Sequence, residues 1–470
     1  ISHVGLYLNN ARPDMVYRTL AIEANNMETK NVEVVALVRN NKRRFVIVNF
    51  AKPVFTDCIK ILPGRKLCGH DDSLTEIELY GPVGGPEMAG VKTFPADPLA
   101  CPMFMGAPSH VPPALPAELT GNYVEARRVN AWSPAFFAGA ITASNLFVFG
   151  SAEGALRSVP PAPPSTNVPV RWPEWGPTWS FGTIAPISTP AWYAGRLLVG
   201  AADEKLHAVA ENGTKLWSFQ TEGRVYAAPT PSGDDVFFGS DDGKLYRVDV
   251  DSGILLWEFK TGGKIRSSPA LADGKILAAS WDGSLYAVTA ETGRQVWKAP
   301  IAPFTRAAPA VAGGLVFIGD ESGHMRSFQA ADGKAGFDLA LGGRISSCPI
   351  VTSNGVFFIS EQGHMAMVST DGQTRWTRKL DADIAAQPFA TQSQLLVPTT
   401  KGIEIVKQAD GQADERIRMP AQPGRLIAAL PYGNRLCLLI GGASTSYGQG
   451  PVTYAGYYSQ VVIWAPEEKK

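Results

Sequence analysis

The chain has 470 residues, 43 Lys plus Arg against 43 Asp plus Glu, and a net charge of zero. That length allows two or three domains, and the balanced charge gives no bulk electrostatic case for nucleic acid or an anionic membrane surface. No apolar run of about 18 residues is present, so no segment reads as a membrane-spanning helix. No signal peptide is visible, and the sequence opens at Ile1, inside what reads as a domain.

Residues 1–82 form the first module. VEVVALV (32–38), RRFVIVNF (43–50), DCIKIL (57–62) and LTEIELYG (74–81) read as strands rich in Val, Ile and Leu. Cys58 and Cys68 either close a small loop as a disulfide or remain two thiols. The other cysteines, Cys101, Cys348 and Cys437, make no CxxC or CxxCH motif, which removes zinc-finger, thioredoxin-like and c-type haem readings.

The segment FVIVNFAKPVFTDCIKILPGRKLCGHDDSLTEIELYG resembles the second half of a discoidin-type, galactose-binding-like domain, a family that ends in a similar EIELYG strand. The resemblance implies a partial jelly-roll β-sandwich. The family's ligand loops lie largely in the half without a counterpart here, so it carries over no binding residue.

Residues 83–120 hold Pro at 86, 95, 98, 102, 108, 112, 113 and 116, which favours extended linker over packed structure. Cys101 and His110 sit within it, too few to define a metal site.

A repeat follows. Residues 265–300 read as four short strands, Ile265–Ala272, Lys275–Ser280, Ser284–Thr289 and Arg294–Ala299, separated by Asp273-Gly274, Asp282-Gly283 and Thr292-Gly293 turns. The Pro of this unit, Pro269, recurs as Pro190, Pro229, Pro309, Pro349 and Pro388, at spacings of 39, 40, 40, 40 and 39. The late Trp297 recurs as Trp217, Trp257 and Trp376, with Phe337 in the same slot. A four-stranded unit of about 40 residues predicts a β-propeller.

The first blade starts around Pro134, is interrupted by residues 160–178, and resumes at Trp179. A degenerate blade surrounds Pro388, with Arg416 in the Trp position, and an eighth begins near Leu426 with Asn434–Gly441 as its second strand. Tyr123 precedes Pro134 by the 11 residues that separate Trp179 from Pro190, so Gly121–Arg128 is expected to be the outer strand of the last blade. The predicted fold is therefore all-β: an eight-bladed propeller over 121–466 behind a partial N-terminal sandwich.

Units such as AVTAETGRQVW (287–297) and RVDVDSGILLW (247–257) are similar to the repeat of pyrroloquinoline-quinone (PQQ) propellers. The resemblance implies eight blades. It also implies one of two unlike functions: quinoprotein alcohol dehydrogenases, or non-enzymatic scaffolds such as the outer-membrane lipoprotein that assists β-barrel assembly.

The Trp series reads as interblade packing rather than as stacking platforms for a ligand. The segment before each phase Pro carries Arg224 and Tyr226, Lys264 and Arg266, Phe304 and Arg306, and Arg344, expected on first strands that line the channel. Converging guanidinium groups suit carboxylates, phosphates or acidic sugars, since the planar fork bonds anionic oxygens in pairs. The alternative is a salt-bridged rim, with Asp383 as one partner.

The dehydrogenases of the resembled family use a vicinal cysteine pair and a calcium or lanthanide held by acidic and amide side chains. Cys348 and Cys437 stand apart, and Asp241, Asp242, Asp282, Glu321 and Glu361 fall at hairpin turns. His324 and His364 share a repeat position and would be a metal pair only if neighbouring blades brought them together.

The resulting expectation is an exported protein of the periplasm or cell surface that binds and scaffolds a glycan or protein. The channel mouth (Arg224, Tyr226, Lys264, Arg266, Arg306, Arg344) is the ligand site, and Trp172 and Trp175 in the insertion are surface contacts or packing residues. No cofactor is expected, and PQQ with calcium is the alternative that would make it an enzyme.

Overall fold

Alternating apolar and small residues broken by Gly turns every eight to ten positions cannot hide their faces in one sheet, and the chain answers by stacking sheets. The computed structural model describes residues 188–414 throughout. Outside that span it describes the strands named below, with a few of their side chains and isolated neighbours. The linker apart from Leu119, which is buried against Gln394, the insertion with Trp172 and Trp175, and Cys58, Cys68, Cys101 and His110 lie outside the described residues. The chain divides into two units, Ile1–Pro95 and Ala96–Lys470.

The first unit holds two antiparallel sheets. Phe45–Asn49, His3–Leu8 and Leu74–Tyr80 form one, and Val32–Arg39, Thr19–Asn25 and Ile59–Pro63 the other. The four sequence-predicted strands are all present. His3–Leu8 and Thr19–Asn25 are the central strands, and each pairs with two neighbours.

In the second unit the described strands form eight sheets. The unit built around Pro269 is typical: Ala270–Ala272, Lys275–Ser280, Ser284–Thr289 and Gln295–Pro300 pair in sequence order, all antiparallel. Sheets of the same order start at Ala191–Tyr193, Thr230–Ser232, Ala310–Ala312 and Ile350–Thr352, and another is made by Ala140–Ile141, Phe147–Gly150, Ala155–Val159 and, beyond the insertion, Trp179–Gly182. The sheet beginning Phe389–Ala390 has three strands. In the last sheet Arg425–Tyr432, Arg435–Tyr447 and Tyr454–Pro466 are followed by Gly121–Asn130, from the other end of the unit. Pairing an early strand of this unit with its last ones ties the two ends of the repeat into one sheet.

The first strand of each regular unit has three residues, so the expected Ile265–Ala272 strand starts only at Ala270. Pro269 has no N–H for a sheet ladder. Two of the residues before it bond elsewhere: Ile265 N–H donates to Ser240 O at 3.0 Å, and Lys264 O accepts from Trp281 N–H at 2.8 Å. The connecting segment is thus clamped between the second-to-third-strand hairpins of two successive sheets. Residues 221–225 and 341–345 are clamped the same way.

The phase Trp residues do dock blades together. Indole Nε1 of Trp217, Trp257, Trp297 and Trp376 donates to the carbonyls of Val250, Ala290, Ala330 and Gln408 in the following sheet, at 2.8 to 3.0 Å. Each ring also covers a turn glycine of that sheet: Gly253, Gly293, Gly333 or Gly411. The four-residue Gly-to-Trp offset in the sequence is therefore one interlocking device, in which each blade offers a glycine to the Trp before it and a Trp to the glycine after it. Apolar clusters fill the gaps between sheets; Leu277, Leu285 and Trp297 of one sheet, for example, pack on Val316, Ile318 and Phe328 of the next.

Candidate functional site

Because the segments before each phase Pro are clamped by main-chain bonds, their side chains are released from the ladder and project beside the hairpins. The sequence-predicted residues are therefore on connecting segments rather than on channel-lining strands. Most of them meet one another through a row of hairpin residues that recurs every 40 positions: Asp241, Trp281, Glu321 and Glu361.

At one end, Arg266 donates from Nε and Nη2 to the two oxygens of Asp241, both at 2.7 Å. Its guanidinium lies between Tyr226 and Trp281, 4.1 and 4.4 Å from the ring centroids. Lys264 reaches the same Asp241 at 3.3 Å and lies 5.6 Å from Trp281. Arg224 approaches the Tyr226 hydroxyl at 3.5 Å. Burial alone would raise the Asp241 pKa, but the hydrogen bonds and charge of Arg266, then Lys264, outweigh it and hold the carboxyl below its ordinary range.

The row then changes character. Trp281 stands in the acidic position and Phe304 in the position held by Arg224, Lys264 and Arg344. Pro303 replaces the glycine found at 223, 263 and 343. Phe304 adopts φ +63°, unusual for a bulky residue, and is 59% exposed. Its ring meets Trp281 edge-on at 5.5 Å. The main-chain clamp shifts here: the Phe304 N–H reaches Trp281 O at 3.4 Å, where Ile265 and Ile345 supply the equivalent donors in neighbouring segments.

Beyond Phe304 the ion pairs to Glu321 are loose. Arg306 lies 5.9 Å from the Trp281 centroid and 3.9 Å from Glu321. Arg344 is 4.0 Å from the other oxygen of Glu321 and 3.1 Å from Glu361. Glu321 Oε1 and Trp281 Nε1 are both buried without a hydrogen-bond partner. Burial pushes the Glu321 carboxyl above the ordinary glutamate range, with Glu361 adding to the shift and Arg306 and Arg344 opposing it. Five cations (Arg224, Lys264, Arg266, Arg306 and Arg344) thus face three carboxylates (Asp241, Glu321 and Glu361). No ion pair to Asp383 is found among the described residues.

In the sequence Asp241, Glu321 and Glu361 read as turn acids, and Trp281 carries no signal of its own. Their 40-residue spacing was the signal that would have found them. The remaining acids have structural partners. Asp242 accepts from the Tyr246 hydroxyl and Asp282 from the Tyr286 hydroxyl, both at 2.6 Å. Asp203 holds His207 at 3.0 Å in the corresponding place. Asp320 is fully buried and accepts from Ser322, His324, Arg326 and Ala302. His324 pairs with Asp338, and His364 lies 3.4 Å from Ser360 Oγ, so the two histidines have separate partners. Cys348 and Cys437 are both buried.

A family model described as outer membrane protein assembly factor BamB matches residues 174–307 and 281–425, over half of the chain. No curated protein sequence matches. Among solved structures, BamB from Moraxella catarrhalis aligns with a TM-score of 0.55 at 16% identity, covering 74% of this chain and 99% of its own. The computationally designed Ika8 protein aligns at 0.56 and 15%, covering 73% and 100%. Quinohemoprotein alcohol dehydrogenase from Comamonas testosteroni aligns at 0.59 and 10%, covering 79% and 82%. These identities establish a shared β-propeller fold and nothing finer.

Proposed function

This chain belongs to the PQQ-like repeat family described as outer membrane protein assembly factor BamB, and from that membership we propose that it is a non-catalytic scaffold of the bacterial envelope that holds a protein partner. Each of the eight sheets is taken as one blade, and the partner docks on the rim that runs from Arg224 to Arg344. The observation that carries this reading is Phe304: a large apolar side chain, 59% exposed, held in a left-handed backbone conformation against Trp281, on the segment that also carries the exposed Arg306. Strain kept at an exposed aromatic is the mark of a contact residue rather than of a packing residue. Export to the periplasm or cell surface accords with the description of the family.

The test is photocrosslinking in the periplasm of a Gram-negative host, with a photoreactive amino acid at position 304 or at 256. Leu256 is exposed on an outer strand and serves as the reference. Discrete protein adducts from 304 and not from 256 are expected. Adducts from neither position, or from both alike, would overturn the rim assignment. Titration with PQQ and calcium covers the enzymatic alternative: tight binding lost in Arg266→Ala and Arg306→Ala would replace the scaffold by a quinoprotein. An acidic glycan bound in place of protein would leave a scaffold of a different kind.

A further inference from the structure

The rim does not treat its cations alike. Arg266 is saturated, with two 2.7 Å bonds to Asp241 and an aromatic ring on each face. Arg306 occupies the same repeat position one blade on, yet its nearest carboxylate oxygen is 3.9 Å away, beyond hydrogen-bond reach. Arg344 stands equally far from that carboxylate, at 4.0 Å, and spends one nitrogen on Glu361 at 3.1 Å. The two guanidinium groups are 54% and 56% exposed, while Glu321 between them is 15% exposed and leaves Oε1 unpartnered. The site therefore holds donor capacity that its own acid does not consume. The exposed Phe304 lies beside it, with the Trp281 ring at its edge.

Resting on the scaffold reading above, we propose that this sector recognises an acidic-aromatic determinant in the partner protein: a carboxylate held by Arg306 and shared with Arg344, next to an aromatic side chain laid on Phe304 and Trp281. Three features select that chemistry. A guanidinium with an open fork bonds a carboxylate in two parallel contacts, which a neutral amide cannot match. The exposed Phe304 ring, backed by Trp281, favours an aromatic ring in offset or edge contact over an aliphatic one. The Arg306 and Arg344 side chains are exposed while Glu321 between them is largely covered, so an incoming carboxylate meets the cations first.

The inference is tested with the full chain and a short, fluorescently labelled Gly/Ser peptide that carries an adjacent Phe-Asp pair, read by anisotropy. Versions with Phe-Asn and with Ala-Asp supply the two controls. The Phe-Asp peptide is expected to bind, and each control to bind about tenfold more weakly or worse. Arg306→Gln should cost a similar factor for the Phe-Asp peptide and nothing for the Phe-Asn one. Lys401→Gln, an exposed cation on the corresponding hairpin two blades further on, should leave binding unchanged. Because Arg306 is an exposed side chain on a main-chain-clamped segment, its replacement keeps the fold, which circular dichroism verifies. The inference fails if the three peptides bind alike, if none binds up to about 1 mM, or if polygalacturonate binds through Arg306 and the peptide does not. Crosslinking from position 304 together with peptide failure would leave the scaffold reading intact and remove only this determinant. Absence of both would remove the two together.

Discussion

Gly333→Ala isolates what joins one blade to the next. Gly333 sits at the third-to-fourth-strand turn with φ +74°, and the Trp297 ring of the preceding sheet covers it. A Cβ there would lie 2.7 Å from Cδ2 and Cε3 of that ring and 3.0 Å from Cγ. The ring has little room to withdraw, since Trp297 is 6% exposed and its Nε1 is bonded to Ala330 O at 3.0 Å. Two costs therefore act together. A left-handed Ala costs roughly 1–2 kcal/mol, and forcing atoms into a filled contact costs a further 1–3 kcal/mol or so. The expected destabilisation is about 2–5 kcal/mol.

Gly274→Ala separates the two costs. Gly274 has a similar φ, +68°, in the Asp273-Gly274 hairpin turn, but nothing lies within 4 Å of where its Cβ would be. It should lose only the backbone share, roughly 1–2 kcal/mol. Equilibrium urea unfolding followed by far-ultraviolet circular dichroism gives both midpoints. Trp297→Ala alone should cost about 3–5 kcal/mol, and the Trp297→Ala/Gly333→Ala double variant should cost less than the two singles together, because the clash has no partner left. Equal losses for Gly333→Ala and Gly274→Ala, or strict additivity in the double variant, would refute the interlock.

Asp241→Asn should destabilise by about 1.5–3 kcal/mol through weakened charged hydrogen bonds to Arg266. Because the folded carboxyl is held below its unfolded value, its contribution is present above the ordinary carboxylate range and lost as pH falls through the folded value; the variant should flatten the acid limb of stability against pH. Glu321 works in the opposite sense. Its folded carboxyl is raised, so the folded state keeps a proton longer and stability declines as pH rises from the ordinary glutamate value through the folded one. Glu321→Gln should remove that decline, which urea midpoints between about pH 4 and pH 7 would record; an unchanged slope would show that Glu321 is not desolvated as described. Asp320→Ala should cost about 3 kcal/mol, since it strips a fully buried carboxylate from Arg326 and the Ser322–His324 turn; a midpoint like that of the parent would mean the turn holds itself.

The parts of the fold that were readable in advance are those fixed by local chemistry repeated in phase. Pro269 and its counterparts mark where a strand cannot yet have begun, the Gly turns set hairpin spacing, and the Trp series marks the interblade dock. The first strand is shorter than its pattern predicts because Ile265–Ser268 alternates like a strand, yet the Ile265 N–H bonds to the hairpin of the preceding sheet. Alternation reports which side is apolar, not which partner accepts the N–H. The site was half legible. Arg266 and Arg306 were found by their residue type, but what distinguishes them, a carboxylate at 2.7 Å against one at 3.9 Å, depends on packing that residue type does not encode.

That difference suggests how one blade can become special in a protein made of similar blades. The clamp on each connecting segment is made by main-chain groups: Asp241 N–H to Arg224 O, Trp281 N–H to Lys264 O, Glu361 N–H to Arg344 O. The side chains at those positions are therefore spared from holding the fold and can be exchanged at little structural cost. Most of the row uses that freedom conservatively, closing cation against carboxylate. Where Trp281 and Phe304 replace an acid and a cation, an ion pair is replaced by an aromatic pair, Arg306 is left short of a partner, and Pro303 brings a left-handed residue with it. Local rules broken together at one place, with main-chain support intact on either side, are expected where binding rather than folding has set the residues.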